Sequence, residues 1–268
     1  MIETAGFEGV TQIRMSRELE GRPVYWVAAY LVDGLLVDTG SSHTSGELTA
    51  FLAGKNLEKV VNTHYHEDHV GGNHDIMNAF PVEAYAHPDA VPLIADRHEL
   101  YPYQEFAWGY PVPTSVKPLS AVVTTERHAF EVLETPGHCA GHICLLEPAR
   151  GWCFTGDLFA RENPKYIRPE ENLGELVWSM RRLVDVPSDR LVLFTSVGKI
   201  IPDGRRALTE CMRYLTDLAE KAKGMERAGS SVDDIVNGLF GGEHFFAELT
   251  NGQFSTENLV RSLLTTMG

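Results

Sequence analysis

The chain has 268 residues, 43% apolar and 22% charged, which allows one large α/β domain or a core of about 200 residues with an appended piece. Its formal charge of −14 would repel a phosphate backbone, and the basic pairs Arg181-Arg182 and Arg205-Arg206 are too short to offset it, so nucleic acid is not expected as a partner. No apolar run approaches the roughly 18 residues of a membrane span, and Met1-Ile2-Glu3-Thr4 has neither a basic flank nor an apolar leader. A soluble, cytoplasmic chain with no membrane partner is the expectation. Cys139, Cys144, Cys153 and Cys211 show no Cys-x-x-Cys spacing and are expected to be reduced, buried thiols.

Residues 10–14, 24–32 and 35–38 read as β-strands, the last two joined at the hairpin dipeptide Asp33-Gly34. The apolar run in 24–32 is too continuous for a sheet with one wet face, so both faces should be covered. Residues 45–53 read as a helix and 58–61 as a strand. That strand ends in His64-Tyr65-His66-Glu67-Asp68-His69, followed by Gly71-Gly72. Three imidazoles and Asp68 within six residues, in a chain with 11 histidines, point to a metal site on a tight loop. Neutral imidazole suits zinc, iron or manganese at about 2 Å, and a carboxylate adds a hard anionic ligand.

Residues 74–80 read as a helix with Asn73 as its cap, 82–87 as a strand, and Pro88 as the first turn of another helix. The stretch 98–120 breaks the rhythm. It holds Pro102, Pro111, Pro113 and Pro118 among Tyr101, Tyr103, Phe106, Trp108 and Tyr110, with no period of 2 or 3.6. An irregular aromatic insertion is expected there, as a lid or a homodimer contact beside the cleft. Strand 129–134 leads to Thr135-Pro136-Gly137-His138, strand 143–146 follows, and Gly151-Trp152-Cys153 leads into Phe154-Thr155-Gly156-Asp157. The loop 158–168 could present Lys165, Tyr166 or Arg168 to an anionic substrate group. Then come a helix over 172–184, a core strand over 191–194, and helices over 203–223, 232–239 and 256–264.

The pattern His-x-His-x-Asp-His at 64–69, with Gly-His at 137–138 and Gly-Asp at 156–157, resembles the metallo-β-lactamase superfamily over roughly residues 10 to 210. The resemblance implies an α/β fold, an αββα sandwich of two mixed β-sheets flanked by helices. Residues 1–201 would form the catalytic domain and 202–268 a helical extension packed on it. That layout is similar to the thioester hydrolase branch, including hydroxyacylglutathione hydrolases, where the extension forms one wall of the substrate cleft.

The same resemblance implies one or two divalent ions, zinc foremost, with iron or manganese as alternatives. His64, His66 and His138 would hold the first position and Asp68 and His69 the second, with Asp157 able to bridge. Asp38 and His142 would support the ligands from behind. Asp68 is expected to be catalytic as well, orienting the nucleophile and moving its proton. One departure stands out: relatives usually carry a further histidine where this chain has Val197 in Thr195-Ser196-Val197-Gly198. Valine cannot coordinate, so a weakened pair of ions or a single ion is expected. The implied reaction is attack of metal-activated hydroxide on an ester, thioester, lactone, amide or phosphoester of a small-molecule substrate. Two alternatives stay open: a mononuclear iron oxidoreductase similar to persulfide dioxygenases, and a metal-binding protein that has lost catalysis.

Overall fold

Strand Val27–Val32 is buried along its whole length, and its side chains divide by parity. Val27, Ala29 and Leu31 enter one apolar cluster while Ala28, Tyr30 and Val32 enter another, as the two-residue period of a pleated strand requires. In the computed structural model, which describes residues 1–267, the same division recurs on a second sheet. There Ile143 and Leu145 face inward and Cys144 and Leu146 face outward.

The first sheet has seven strands in the order Ile2–Phe7, Val10–Met15, Val27–Val32, Leu35–Val37, Lys59–Val61, Glu83–Ala86 and Lys117–Pro118. Its first three pairings are antiparallel and its last three parallel. The second has six strands, Val122–Thr124, Ala129–Glu134, Ile143–Glu147, Trp152–Phe154, Val192–Phe194 and Ile200–Ile201. Only Trp152–Phe154 with Val192–Phe194 is parallel within it. Inward side chains of both sheets form one core around Tyr30, Phe130, Phe154 and Phe194. Helices Ser45–Leu52 and Asn73–Ala79 cover the outer face of the first sheet, and Leu173–Val184, Gly204–Arg227 and Thr256–Thr266 cover the outer face of the second. The fold is therefore α/β, with two mixed sheets packed face to face between helices and a helical C-terminal region.

The C-terminal helices start at side-chain caps. Asp203 accepts from the Arg206 amide at 3.2 Å, Ser231 from Asp234 at 3.2 Å and Ser255 from Asn258 at 3.0 Å, each satisfying an amide the helix itself leaves unpaired. Among the described residues, no helix is long and apolar enough to cross a membrane.

Several elements differ from the sequence expectation. Strand Ile2–Phe7 was not expected, because it is a largely exposed edge strand with no apolar periodicity. Asn73 does not cap its helix: Gly72 occupies that place. The buried Asn73 amide instead accepts from Thr39 Oγ1 at 2.9 Å and donates to Asn62 Oδ1 at 2.9 Å, so tertiary partners outcompeted the local cap. Pro88 lies in a turn, and the helix begins at Val91–Ile94 with Pro92 in its first turn. The aromatic insertion contains a short helix, Pro102–Ala107, and buries Trp108.

Candidate metal centre

Strands of both sheets end at one rim of the sandwich, and each hands over to a loop carrying a polar residue of the centre. Leu35–Val37 leads to Asp38, Lys59–Val61 to His64, Ala129–Glu134 to His138, Trp152–Phe154 to Asp157 and Val192–Phe194 to Ser196. Close backbone approach makes this possible at Gly71, where an added Cβ would lie 2.3 Å from the Ser42 nitrogen. The same holds at Gly156, with φ of 47° and a Cβ that would lie 2.7 Å from His142 Nε2.

Hydrogen bonds on the far side of the His69, His138 and His64 rings set which nitrogen of each faces inward. Asp38 Oδ2 lies 2.8 Å from His69 Nδ1, and a carboxylate can only accept, so that nitrogen carries the proton and Nε2 holds the lone pair of the neutral ring. Glu171 Oε1 does the same to His138 Nδ1 at 2.6 Å. Thr63 Oγ1 donates to Asp38 Oδ2 at 2.8 Å and can accept from His64 Nδ1 at 3.0 Å. Three imidazole nitrogens then converge: His64 Nε2 is 3.1 Å and His138 Nε2 3.0 Å from His66 Nδ1. In the tautomers that turn all three lone pairs inward, they repel one another unless a cation lies between them. The spacing approaches the edge of about 3.3 Å expected for a tetrahedron with bonds of about 2.0–2.1 Å to zinc.

A second group adjoins the first. His69 Nε2 is buried without a hydrogen-bond partner, 3.3 Å from Asp157 Oδ1 and 3.8 Å from Asp68 Oδ2. Asp157 Oδ2 is 3.4 Å from His138 Nε2, so this carboxylate spans the two groups. Every sequence-predicted ligand, His64, His66, Asp68, His69, His138 and Asp157, is gathered here. The donor set, with its orphaned imidazole nitrogen, fits one divalent ion at the three-histidine position and offers three donors for another. Val197 supplies none. Its neighbour Ser196 has a buried hydroxyl with no hydrogen-bond partner.

Electrostatics follow from burial and these neighbours. Burial, reinforced by His69 and His66, pushes His64 well below the usual imidazole range. Burial opposes charge on His69 too, but the carboxylates of Asp38, Asp68 and Asp157 outweigh it and raise that ring. Asp157 is held well below the ordinary carboxylate range by His69 and His138, against its burial. Burial pushes Asp68 up to about 7.

His142 is not a candidate ligand, because both its nitrogens are committed. Nε2 accepts from the Asp157 amide at 3.1 Å, and Nδ1 lies 2.8 Å from Thr135 Oγ1. Cys139 has its sulfur within 4.8 Å of the three-histidine group, and burial raises its pKa well above the usual thiol value. Sequence reasoning missed Glu171. It lies in a loop 33 positions from His138, and no local pattern marks it.

A cavity of about 720 Å³ opens onto the cluster and is lined by Asp68, His138 and Asp157. The aromatic insertion contributes Tyr103, Phe106 and Trp108, the loop 158–168 contributes Tyr166 and Arg168, and the C-terminal region contributes Phe246 and Phe254. Tyr103 Oη, Trp108 Nε1 and Arg168 Nε are buried donors without partners. Arg168 is 3.7 Å from Glu67 Oε1, its guanidinium over the Phe254 ring at 5.0 Å.

A family model described as the metallo-beta-lactamase superfamily matches residues 26–195. Among curated proteins, an uncharacterized protein of Aquifex aeolicus is 34% identical over 139 residues, covering 50% of this chain and 65% of its own length. A hydroxyacylglutathione hydrolase of Maricaulis maris is 30% identical over 138 residues, covering 51% of this chain and 47% of its own length. The match thus spans about half to two thirds of these relatives. Among solved structures, a metallo-beta-lactamase family protein from Thermus thermophilus superposes with a TM-score of 0.68 at 18% identity, over 96% of this chain and 91% of its own. A beta-lactamase domain protein from Burkholderia ambifaria gives 0.67 at 18% identity, over 98% and 82%. With sheets, strand-end loops and matched span in agreement, the chain belongs to the metallo-beta-lactamase superfamily.

Proposed function

We propose that this protein is a metal-dependent hydrolase of an ester, thioester, lactone or related bond. The observation that carries the reading is the convergence of His64 Nε2 and His138 Nε2 on His66 Nδ1, at 3.1 and 3.0 Å, beside the orphaned His69 Nε2. A divalent ion held there would polarise the scissile carbonyl and lower the pKa of its water towards about 7.

The chain's own residues supply the rest. His64, His66 and His138 would hold the first ion, Asp68 and His69 a second, and Asp157 would span them. Asp38 and Glu171 lock the ring orientations of His69 and His138. Asp68 lines the cavity at the centre and would orient the attacking water and accept its proton. Tyr103, Trp108 and Arg168 line the same cavity, and each carries a buried donor without a partner.

The test is elemental mass spectrometry of protein purified without chelator, followed by hydrolysis assays on acetyl esters, thioesters and lactones. Activity should vanish with a chelator and return with zinc or manganese. The absence of a nitrogen donor at Val197 favours a single strongly held ion, which suits the iron oxidoreductase reading as well. Oxygen uptake with a persulfide after anaerobic iron loading, and no hydrolysis, would select that reading instead. Full ion occupancy with every assay blank would select a non-catalytic protein.

A further inference from the structure

The acidic, basic and imidazole side chains on the cavity are Asp68, His138, Asp157, Arg161, Arg168 and Glu171. Five of them have a counterpart. Asp68 and Asp157 face His69 at 3.8 and 3.3 Å, Glu171 holds His138 at 2.6 Å, and Arg168 lies 3.7 Å from both Glu67 and Glu170. Arg161 has none. Among the described residues it forms no ion pair, and its one hydrogen bond is through its carbonyl, which accepts from Cys211 Sγ at 3.7 Å. The side chain is half-buried, yet none of its nitrogens is a buried orphan of the kind found on Arg168. The guanidinium therefore stays open to a molecule in the cavity.

An aromatic ring holds it in place. The Arg161 guanidinium carbon lies over the Tyr166 ring, 4.7 Å from its centroid, and that ring packs against Phe246 and Phe254 at 5.2 and 6.0 Å. A guanidinium seated on an aromatic face is positioned without using its N–H groups, and those donors match the paired oxygens of a carboxylate or phosphate. The centre is close, because Arg161 follows Asp157 by four residues, at most about 14 Å of extended chain. Tyr25, 37% exposed on the same cavity, feels both: burial, Asp157 and Asp68 raise its pKa while Arg161 lowers it. Two exposed lysines stand beside the same loop. Lys199 Nζ reaches the Ala160 carbonyl at 3.5 Å, and Lys165 precedes Tyr166; neither forms an ion pair among the described residues. In a chain of charge −14, these cations make the cavity's edge locally positive.

Resting on the hydrolase reading, we propose that the substrate carries an oxyanion, a carboxylate or a phosphate, apart from the bond that is cleaved, and that Arg161 receives it. The substrate's charge is then the counterpart of the one lining cation that lacks a partner, while the scissile carbonyl sits at the metal centre.

Calorimetric titration of the metal-loaded protein tests the anion site without requiring turnover. The probes are malonate, succinate, glutarate and adipate, each set against the monocarboxylate with the same number of carbons, together with 3-phosphonopropionate. One end of each dianion is taken by the centre, and the other reaches Arg161 where the spacing fits. At low salt the best-fitting dianion should bind about tenfold tighter than its monocarboxylate match. Preference for succinate or for 3-phosphonopropionate tells carboxylate from phosphate. Arg161→Gln should cut the advantage to below threefold, and Arg161→Lys, which keeps the charge without the planar donors, should retain part of it. No advantage for any dianion would overturn the proposal, as would an advantage undiminished in Arg161→Gln. Arg161-dependent selectivity without any metal-dependent hydrolysis would sink the hydrolase reading and leave the anion site standing; hydrolysis without that selectivity would do the reverse.

Discussion

The carboxylate of Asp38 lies 2.8 Å from His69 Nδ1 while accepting from the Thr63 amide at 2.7 Å and the Thr63 hydroxyl at 2.8 Å. One side chain therefore ties the end of a first-sheet strand to the ligand loop and sets the direction of an imidazole. Asp38 has φ of 60°, a conformation that asparagine tolerates. Asp38→Asn should keep the fold and lower metal affinity at the His69 position about 10–100-fold. Competition against a chromophoric chelator reads this directly, and an unchanged affinity would remove the role given to Asp38.

Asp68 is buried beside His69 and lines the cavity. Asp68→Asn should reduce turnover by about 10²–10⁴ with little change in melting temperature, since no hydrogen bond within the sandwich depends on its charge. Paired measurement of kcat and thermal unfolding separates a catalytic role from a structural one. Turnover at the wild-type level would rule the assignment out.

Arg168 is 5% exposed, with Nε unpartnered and the carboxylates of Glu67 and Glu170 each at 3.7 Å. Arg168→Lys keeps a positive charge facing Glu67 but loses the planar set of donors. Loss of one substrate hydrogen bond should raise KM about three- to tenfold with kcat nearly unchanged. A variant with wild-type KM would show that Arg168 serves only to balance Glu67 and Glu170.

Asp33 clips the two sheets together. Its carboxylate accepts from Thr125 Oγ1, the Arg127 amide and Arg127 Nε, each at 2.7 Å. Although burial works the other way, these bonds and the Arg127 charge lower its pKa from 3.8 to about 2. A depressed folded-state pKa means that the stabilisation is complete above the unfolded value and disappears as pH falls through the folded one. Asp33→Asn, at φ of 48°, should cost about 1 kcal/mol at neutral pH, after allowance for the solvent-exposed Arg127. That corresponds to a melting temperature lower by about 2–4 °C. The gap between variant and wild type should narrow through the window from 3.8 to about 2. A gap independent of pH would mean that the charge contributes nothing.

Much of the fold and centre was legible in the chain because the informative residues are neighbours in sequence. His64, His66, Asp68 and His69 fall on one loop after one strand, so their clustering needs no knowledge of the rest of the molecule. The continuous apolar run ending at Val32 implied a sheet covered on both faces, and the two clusters it feeds bear that out. Edge strand Ile2–Phe7 escaped notice because an exposed strand carries no apolar signature. Asn73 was misread because a local rule for caps knows nothing of Thr39 and Asn62.

The sequence by itself determined the donor types, the order in which they meet the strand ends, and the lack of a coordinating side chain at Val197. Only the tertiary structure decided which nitrogen of His69 and His138 faces inward, that Glu171 locks His138, and that a cavity lined by the aromatic insertion opens onto the centre. The reason is physical. Residue type and strand period are local properties, whereas ring orientation and cavity shape depend on contacts between segments that only the packed fold brings together.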